Sequence, residues 1–238
     1  MNYSSYATFD ELLKDVLEGV HKEWLYNADR EETDFLEALQ HELRFVYNIS
    51  KKKEKVTTKR FCPNPRDLLE PFRRHKPSEV KVLICGQDPY PKLEDTTGIA
   101  FHSYSSPPPN SAVHICDSLR KYGHIEKDSE SFSDFSSWMK QGVMMINRSM
   151  TCIEGSAASH GMIWDDTTKS ASRLIPVASV TLMLGNDAGS LKDSVASKVR
   201  IYARHPSYLD GGFLDKDVFG EVNAALKKLS LTVIDWHE

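Results

Sequence analysis

The chain has 238 residues, of which 40% are hydrophobic and 27% are charged, and its formal net charge is −4. This length and composition are typical of one globular domain with a substantial core, and they exclude a disordered or fibrous chain. We expect neither a membrane span nor a secretory signal, and the acidic net charge argues against a protein that coats nucleic acid without specificity.

The first sixty residues have a helical pattern. Thr8 followed by Glu11 is a capping-box pair, and apolar residues recur behind it at helical spacing. A lysine-rich segment, residues 51–60, is interpreted as a solvated loop. The predicted helices of this region cover residues 9–25, 34–49 and 67–72.

The remainder of the chain alternates short β-branched apolar runs with helical patterns. Alternation of this kind implies right-handed crossovers and a parallel sheet with helices on both faces. We therefore predict an α/β fold, a three-layer α/β/α single domain with a central four-stranded parallel sheet. Residues 1–60 are expected to pack as helices and a basic loop on the main part, residues 61–238. The predicted strands are 80–85, 143–146, 180–184 and 199–203, and the predicted helices are 111–122, 164–175, 187–195 and 217–229.

The cysteines are widely spaced and form no C-x-x-C pair, so neither a zinc site nor a disulfide framework is indicated. Reduced thiols are typical of an intracellular protein, and we expect a location in the nucleus or the cytoplasm. The four cysteines are Cys62, Cys85, Cys116 and Cys152.

Ligands of parallel sheets bind beyond the carboxyl ends of the strands, where this sequence has polar segments rich in glycine and proline. Residues 86–91 read Gly-Gln-Asp-Pro-Tyr-Pro, which resembles the water-activating loop G-Q-D-P-Y-H of the family 1 uracil-DNA glycosylases. The resemblance extends from about residue 63 to the C-terminal region. Its further motifs follow in the family's order: 97–101 (TGIAF), 107–111 (PPPNS), 142–147 (GVMMIN), 159–164 (Ser-His to Trp), 184–186 (LGN) and 205–209 (HPSYL).

The resemblance implies a DNA-repair hydrolase that cleaves the N-glycosidic bond of uracil and leaves an abasic site, without a metal or another cofactor. Cleavage develops positive charge on the sugar and negative charge on the base. Asp88 is expected to stabilise the sugar cation and to orient water. His205, as a neutral imidazole, is expected to donate to uracil O2 as the anion forms.

Other residues are expected to select the base after it leaves the helix. The Phe101 ring would stack on uracil. The Asn147 amide can pair with both N3–H and O4 of uracil, whereas cytosine presents the reverse donor and acceptor pattern. The Tyr90 ring would reject the methyl group of thymine, and the Gln87 backbone amide would bind the base. His160 is expected to support the Asn147 loop.

Seven further residues are expected to contact DNA, including a leucine that would wedge into the duplex. Six positions depart from the family pattern on the expected DNA face, and two of them are glycines that lengthen or loosen the wedge segment. They are Pro91, Arg148, Asn186, Tyr208, Gly211 and Gly212. These departures concern DNA affinity more than the reaction. The expected DNA contacts are Pro107, Pro108, Ser111, Gly185, Asn186, Ser207 and Leu209.

Two alternatives remain open at this point. One is a glycosylase-like module that binds DNA or a replication partner with little activity, and the other is an unrelated nucleotide-binding α/β enzyme. The second lacks the G-x-G-x-x-G and Walker patterns. The expected partners are uracil-containing DNA, single- or double-stranded, and a protein inhibitor or replication partner, and the chain is expected to be a monomer.

Overall fold

Four parallel strands lie at the centre of the protein, three of them fully buried, and the predicted α/β/α fold is confirmed. The computed structural model describes residues 2–53, 59–207 and 212–237. The order of the strands in the sheet is β3-β2-β5-β6. In chain order the strands are β1 (Phe61–Cys62), β2 (Val82–Gly86), β3 (Val143–Asn147), β4 (Cys152–Ile153), β5 (Val180–Leu184) and β6 (Val199–Ala203).

Alternate residues of each central strand point to opposite faces of the sheet, so each face buries its own core. Leu83 and Cys85 of β2 pack in a core with helices from the N-terminal region. Val82 and Ile84 pack in a second core on the opposite face, with helices from the middle and the end of the chain. The helices are α1 (Phe9–Leu17), α2 (Lys22–Leu25), α3 (Asp34–Lys53), α4 (Glu70–Arg74), α5 (Asn110–Lys121), α6 (Ser136–Lys140), α7 (Asp165–Leu174), α8 (Asn186–Gly189) and α9 (Val218–Lys228), with 3₁₀ helices at Tyr3–Ser5, Pro65–Asp67, Pro77–Glu79 and Ser190–Asp193.

The first predicted helix, residues 9–25, is wrong in its middle because the chain breaks between α1 and α2. Gly19 has a φ of +76°, a left-handed conformation that ends a helix and that glycine adopts without steric cost. The Arg73 guanidinium donates to the carbonyls of Val16 and Glu18, which satisfies the end of α1. The break therefore depends on a residue from a distant part of the sequence.

Helix α3 continues to Lys53, four residues beyond its predicted end, so the first lysines of the basic segment are helical rather than part of a loop. Lysine is a good helix former, and its charge is favourable at the carboxyl end of a helix dipole. The predicted helix 187–195 is also shorter, since α8 gives way to a 3₁₀ helix at Ser190.

The two-stranded antiparallel ladder of β1 and β4 was not predicted, because a strand of two residues is too short to show an alternation of apolar and polar residues. Cys62 faces Cys152 across this ladder, and both thiols are buried and free.

The N-terminal helices share the core of the sheet. Glu42 of α3 is buried and accepts backbone N–H bonds from Asp166 and Thr167, both at 3.0 Å, at the start of α7. Carboxylates are favourable at the amino end of a helix. The division of the chain at residue 60 stays a prediction. Among the described residues, no helix is long and apolar enough to cross a membrane.

Candidate active site

The carboxyl ends of the central strands bring the predicted site residues to one edge of the sheet. Gly86 ends β2 and Asn147 ends β3, and the two residues are register partners. Strand β5 leads into Gly185, and β6 leads through Arg204 into His205. This edge is where parallel sheets bind their ligands.

The absence of a side chain at Gly86 allows an amide and an aromatic ring to meet. A β-carbon at this position would lie 2.7 Å from Asn147 Oδ1 and 3.0 Å from Phe101 Cζ, both too close. Asn147 is 5% exposed and Phe101 is 6% exposed. The two side chains predicted to read and to stack on a base therefore lie side by side over the same glycine.

Phe101 is held in a conformation that is costly for an aromatic residue, with a φ of +62°. The Tyr90 hydroxyl donates to the carbonyl oxygen of Phe101 at 2.9 Å and lies 2.8 Å from Ser111 Oγ. Burial raises the pKa of Tyr90, so its phenol stays neutral. Ser111 was expected to bind a phosphate. Its hydroxyl is instead buried and supports Tyr90, and the DNA contact stays a prediction.

Asp88 lies in a loop that is tied to its neighbours by backbone bonds. Its Oδ2 accepts the N–H of Ala158 at 2.5 Å, and the Gln87 carbonyl accepts the N–H of Ser149 at 2.8 Å. Burial raises the pKa of Asp88, the bond from Ala158 lowers it, and the charge of Asp187 raises it further. The carboxylate is thus partly withdrawn from water and is fixed at one oxygen. The binding role predicted for the Gln87 backbone amide stays a prediction.

His205 is a neutral imidazole whose tautomer is set by Ser207. The backbone N–H of Ser207 donates to Nδ1 at 3.2 Å, and the Ser207 hydroxyl lies 2.7 Å from the same atom. Because Nδ1 is an acceptor, the ring proton is on Nε2. Burial lowers the pKa of His205 to about 4, against a smaller upward effect of Asp187. The Phe101 ring lies beside it, with 5.6 Å between the two centroids.

Gly185 allows His205 to approach the loop after β5. Gly185 has a φ of +100°, and a β-carbon there would lie 3.0 Å from His205 Cβ. The next residue, Asn186, is exposed, and its Oδ1 accepts the Tyr202 hydroxyl at 2.6 Å. The amide NH₂ of Asn186, a donor only, is therefore turned away from Tyr202.

Asp187 was assigned only to a helix start, yet its charge acts on three groups of the site. It raises the pKa of both Asp88 and His205, and it also opposes the lowering of the pKa of Arg148. The signal that could have identified it is its place in a strand-end segment, directly after Gly185-Asn186.

Arg148 does not lie on the DNA face, and that expectation is wrong. It is 2% exposed and forms an ion pair with Asp165. Its Nε donates to Ser190 Oγ at 3.0 Å, and its Nη1 donates to Thr168 Oγ1 at 3.2 Å. Burial lowers its pKa. The guanidinium points into the layer beneath the site because α7 and the 3₁₀ helix after α8 supply its partners there.

His160 supports the Asn147 loop, as predicted. Its Nδ1 lies 2.7 Å from Thr151 Oγ1, which also accepts the indole N–H of Trp164 at 2.7 Å. Burial lowers the pKa of His160 to about 4.

Of the other expected DNA contacts, the two prolines are described by the structure and the leucine is not. Pro107 is exposed and Pro108 is half-buried. Tyr208, Gly211 and the expected wedge, Leu209, lie outside the described residues. Pro91 accepts the N–H of Gly155 at 2.7 Å through its carbonyl. Within the described ranges, no group of three or more His, Cys, Asp or Glu side chains is arranged to hold a metal ion.

Comparison with known proteins gives consistent matches. A family model described as the uracil DNA glycosylase superfamily matches residues 72–227. The chain is 34% identical over 187 residues to a uracil-DNA glycosylase of Tropheryma whipplei (strain Twist), covering 74% of this chain and 80% of that protein. It is 31% identical over 194 residues to the uracil-DNA glycosylase of Mycobacteroides abscessus, covering 78% and 84%.

Solved structures share the fold. The mimivirus uracil-DNA glycosylase aligns with a TM-score of 0.73 at 21% identity, over 97% of this chain and 94% of that one. A mimivirus UNG variant in complex with UGI aligns with a TM-score of 0.75 at 23% identity, over 97% and 95%.

Proposed function

The chain belongs to the uracil DNA glycosylase superfamily, and from this premise we propose which of its residues perform the reaction. The protein hydrolyses the N-glycosidic bond of uracil in DNA, which releases uracil and leaves an abasic site for base excision repair. One observation carries the assignment of residues. Asn147 and Phe101 meet over Gly86, with the neutral ring of His205 beside them. The alternative of a binding module with little activity is not favoured.

Selection of uracil is assigned to the buried side chains. Asn147 pairs with N3–H and O4 of uracil, and cytosine would leave both groups of a fixed amide without partners. Phe101 stacks on the base. Tyr90, whose hydroxyl is fixed by Phe101 and Ser111, opposes a methyl group at C5. Fixation supports this role because a soft pocket discriminates a methyl group only about 10- to 200-fold.

Cleavage of the bond is assigned to Asp88 and His205. The Asp88 carboxylate stabilises positive charge on the sugar and orients the attacking water. The Nε2–H of His205 donates to uracil O2 as negative charge develops there, and no proton has to be transferred from the ring. The lowered pKa of His205, about 4, supports this role because the imidazole is neutral at physiological pH.

We also propose which molecules the site binds and which residues contact the DNA backbone. DNA backbone contacts are assigned to Pro107, Pro108, Asn186 and Ser207, and both single- and double-stranded DNA are proposed as substrates. A protein partner is also proposed, since a mimivirus neighbour that shares the fold has been solved in complex with UGI. The buried free thiols support an intracellular location, and a monomer is proposed.

The test is release of uracil from a uracil-containing oligonucleotide, with EDTA present, for the wild type and for Asp88→Asn. We expect wild-type release to resist EDTA and Asp88→Asn to lower kcat roughly 10²–10³-fold, the range for loss of one electrostatic group.

Asp15→Asn is a matched control, because this half-buried carboxylate of α1 pairs with Arg66 away from the strand ends that form the site. It should retain wild-type release. If the wild type binds DNA tightly but releases no uracil, the proposal that the protein is an enzyme is refuted. Equal activity of Asp88→Asn and the wild type would refute the role of Asp88.

A further inference from the structure

Basic side chains gather where α3 ends and β1 begins. Lys51, Lys52 and Lys53 form the last turn of α3, and Lys59 and Arg60 directly precede β1. These five residues are called the lysine flank below. Lysines at the end of a helix are favoured by the helix dipole alone. A function for the lysine flank therefore has to come from what it touches.

The lysine flank lies against the turn that holds the catalytic carboxylate. Lys59 Nζ lies 3.9 Å from the position that a β-carbon on Gly155 would occupy. The Gly155 N–H donates to the Pro91 carbonyl at 2.7 Å, and the Ala158 N–H donates to Asp88. One turn of the chain thus separates Lys59 from the loop that carries Asp88.

Two further contacts join the lysine flank to this side of the site. Lys53 Nζ lies 5.8 Å from the centroid of the Phe61 ring, which packs edge-on against the His160 ring at 4.5 Å. Arg60 forms an ion pair with Glu154 at 3.1 Å, in the same turn as Gly155. Arg60 compensates the charge of Glu154, and Lys51, Lys52 and Lys53 add positive charge at the end of α3.

We propose that the lysine flank is an additional DNA-binding surface, which contacts backbone phosphates of the strand at one side of the excised uracil. The inference rests on the proposed function of the site. The whole chain has a net charge of −4, so a polyanion can be held only where positive charge is local. Charges beyond about 8 Å are screened at physiological salt, which makes lysines next to the site more effective than distant ones.

Substrates of two lengths distinguish DNA binding by the lysine flank from catalysis at the active site. The double variant Lys52→Gln, Lys59→Gln is compared with the wild type on single-stranded oligonucleotides of about 20 and about four nucleotides, each with one uracil. We expect kcat/KM on the long substrate to fall several-fold at low salt. The slope of log kcat/KM against log salt should decrease by about 1.4, since each of the two lost phosphate contacts removes about 0.7 on a single strand. Release from the short substrate should not change.

The double variant Lys227→Gln, Lys228→Gln is the matched control, because it removes the same charge from exposed lysines at the end of another helix, α9. It should keep the wild-type slope. An unchanged slope in the flank variant, or an equal loss on both substrates, would overturn the proposal. Failure of the wild type to release uracil from either substrate would instead refute the proposed function.

Discussion

Beyond β2 and β3, the residues that face the base are largely buried and are held through the backbone, whereas those beyond β5 and β6 are more exposed and are held by side chains. The first group, Gly86, Tyr90, Phe101 and Asn147, is called the base side. The second group is called the phosphate side and consists of Gly185, Asn186 and Ser207, and His205, which is assigned to uracil O2, lies between the two groups beside Phe101. On the base side, the Tyr90 hydroxyl fixes the Phe101 backbone. On the phosphate side, the Tyr202 hydroxyl holds the Asn186 side chain, and the Ser207 hydroxyl contacts the His205 ring.

The difference follows from what each side has to recognise. Two bases that differ by an exchange of donor and acceptor are distinguished only if the reading amide cannot turn, so the base side needs buried, rigid contacts. A DNA backbone is bound by charge and by donors at the surface, so the phosphate side has to stay accessible. Rigidity and access are thus divided between neighbouring strand ends.

Arg148 connects the two sides. Its backbone follows Asn147, and its N–H donates to the Gly86 carbonyl at 2.9 Å. Its guanidinium reaches Ser190, whose hydroxyl in turn donates to the Asp187 carbonyl at 2.6 Å. A buried arginine with these partners fixes the position of the base side relative to the loop after β5.

The largest expected effect comes from adding one methyl group to the base side. Gly86→Ala would place a β-carbon 2.7 Å from Asn147 Oδ1 and 3.0 Å from the Phe101 ring. One of the two side chains has to move, and a displacement of about 1 Å at a catalytic site can cost 10²-fold. We expect kcat/KM for uracil release to fall at least about 100-fold.

The control for Gly86→Ala is Gly123→Ala, measured by uracil release and by thermal unfolding. Gly123 has a φ of +72° and open space where a β-carbon would be, so alanine there should lower stability without lowering activity. A Gly86→Ala enzyme that is as active as the control would show that the close approach of Asn147 and Phe101 is not required.

The base side could be predicted from the sequence more fully than the contacts that hold it. Apolar β-branched runs mark the four central strands, and the motifs after them contain Tyr90, Phe101 and Asn147. Burial of Arg148 could not be predicted, because its partners come from segments far along the chain. The break at Gly19 depends on Arg73 in the same way. Local patterns therefore predict elements and candidate residues, while tertiary contacts decide which charged side chains are buried.

A second prediction concerns the pH dependence of the support beneath the base side. The pKa of His160 is lowered from 6.5 to about 4 by burial. Between these values the unfolded chain binds a proton that the folded protein does not, so stability is fully present above pH 6.5 and is lost as the pH falls towards 4. One such histidine contributes a slope of at most about 1.4 kcal/mol per pH unit.

His160→Asn removes this titration and retains an acceptor for Thr151. We expect its free energy of unfolding, measured in urea between pH 6.5 and 4, to fall less steeply than that of the wild type. A variant slope equal to that of the wild type would show that folding does not lower the pKa of His160.

The smallest expected effect lies on the phosphate side, at the bond from Tyr202 to Asn186. Tyr202→Phe removes a hydroxyl that donates to Asn186 Oδ1 at 2.6 Å and so orients the amide NH₂. An exposed neutral hydrogen bond contributes little, so we expect KM for DNA to rise only about two- to fivefold, with kcat unchanged. In an Asn186→Ala variant, Tyr202→Phe should not change KM further. Tyr26→Phe, at a tyrosine of similar exposure, should leave KM unchanged both in the wild type and in Asn186→Ala. A change in kcat would place Tyr202 with the chemistry rather than with the backbone contact, and the division between the two sides would then fail at this position.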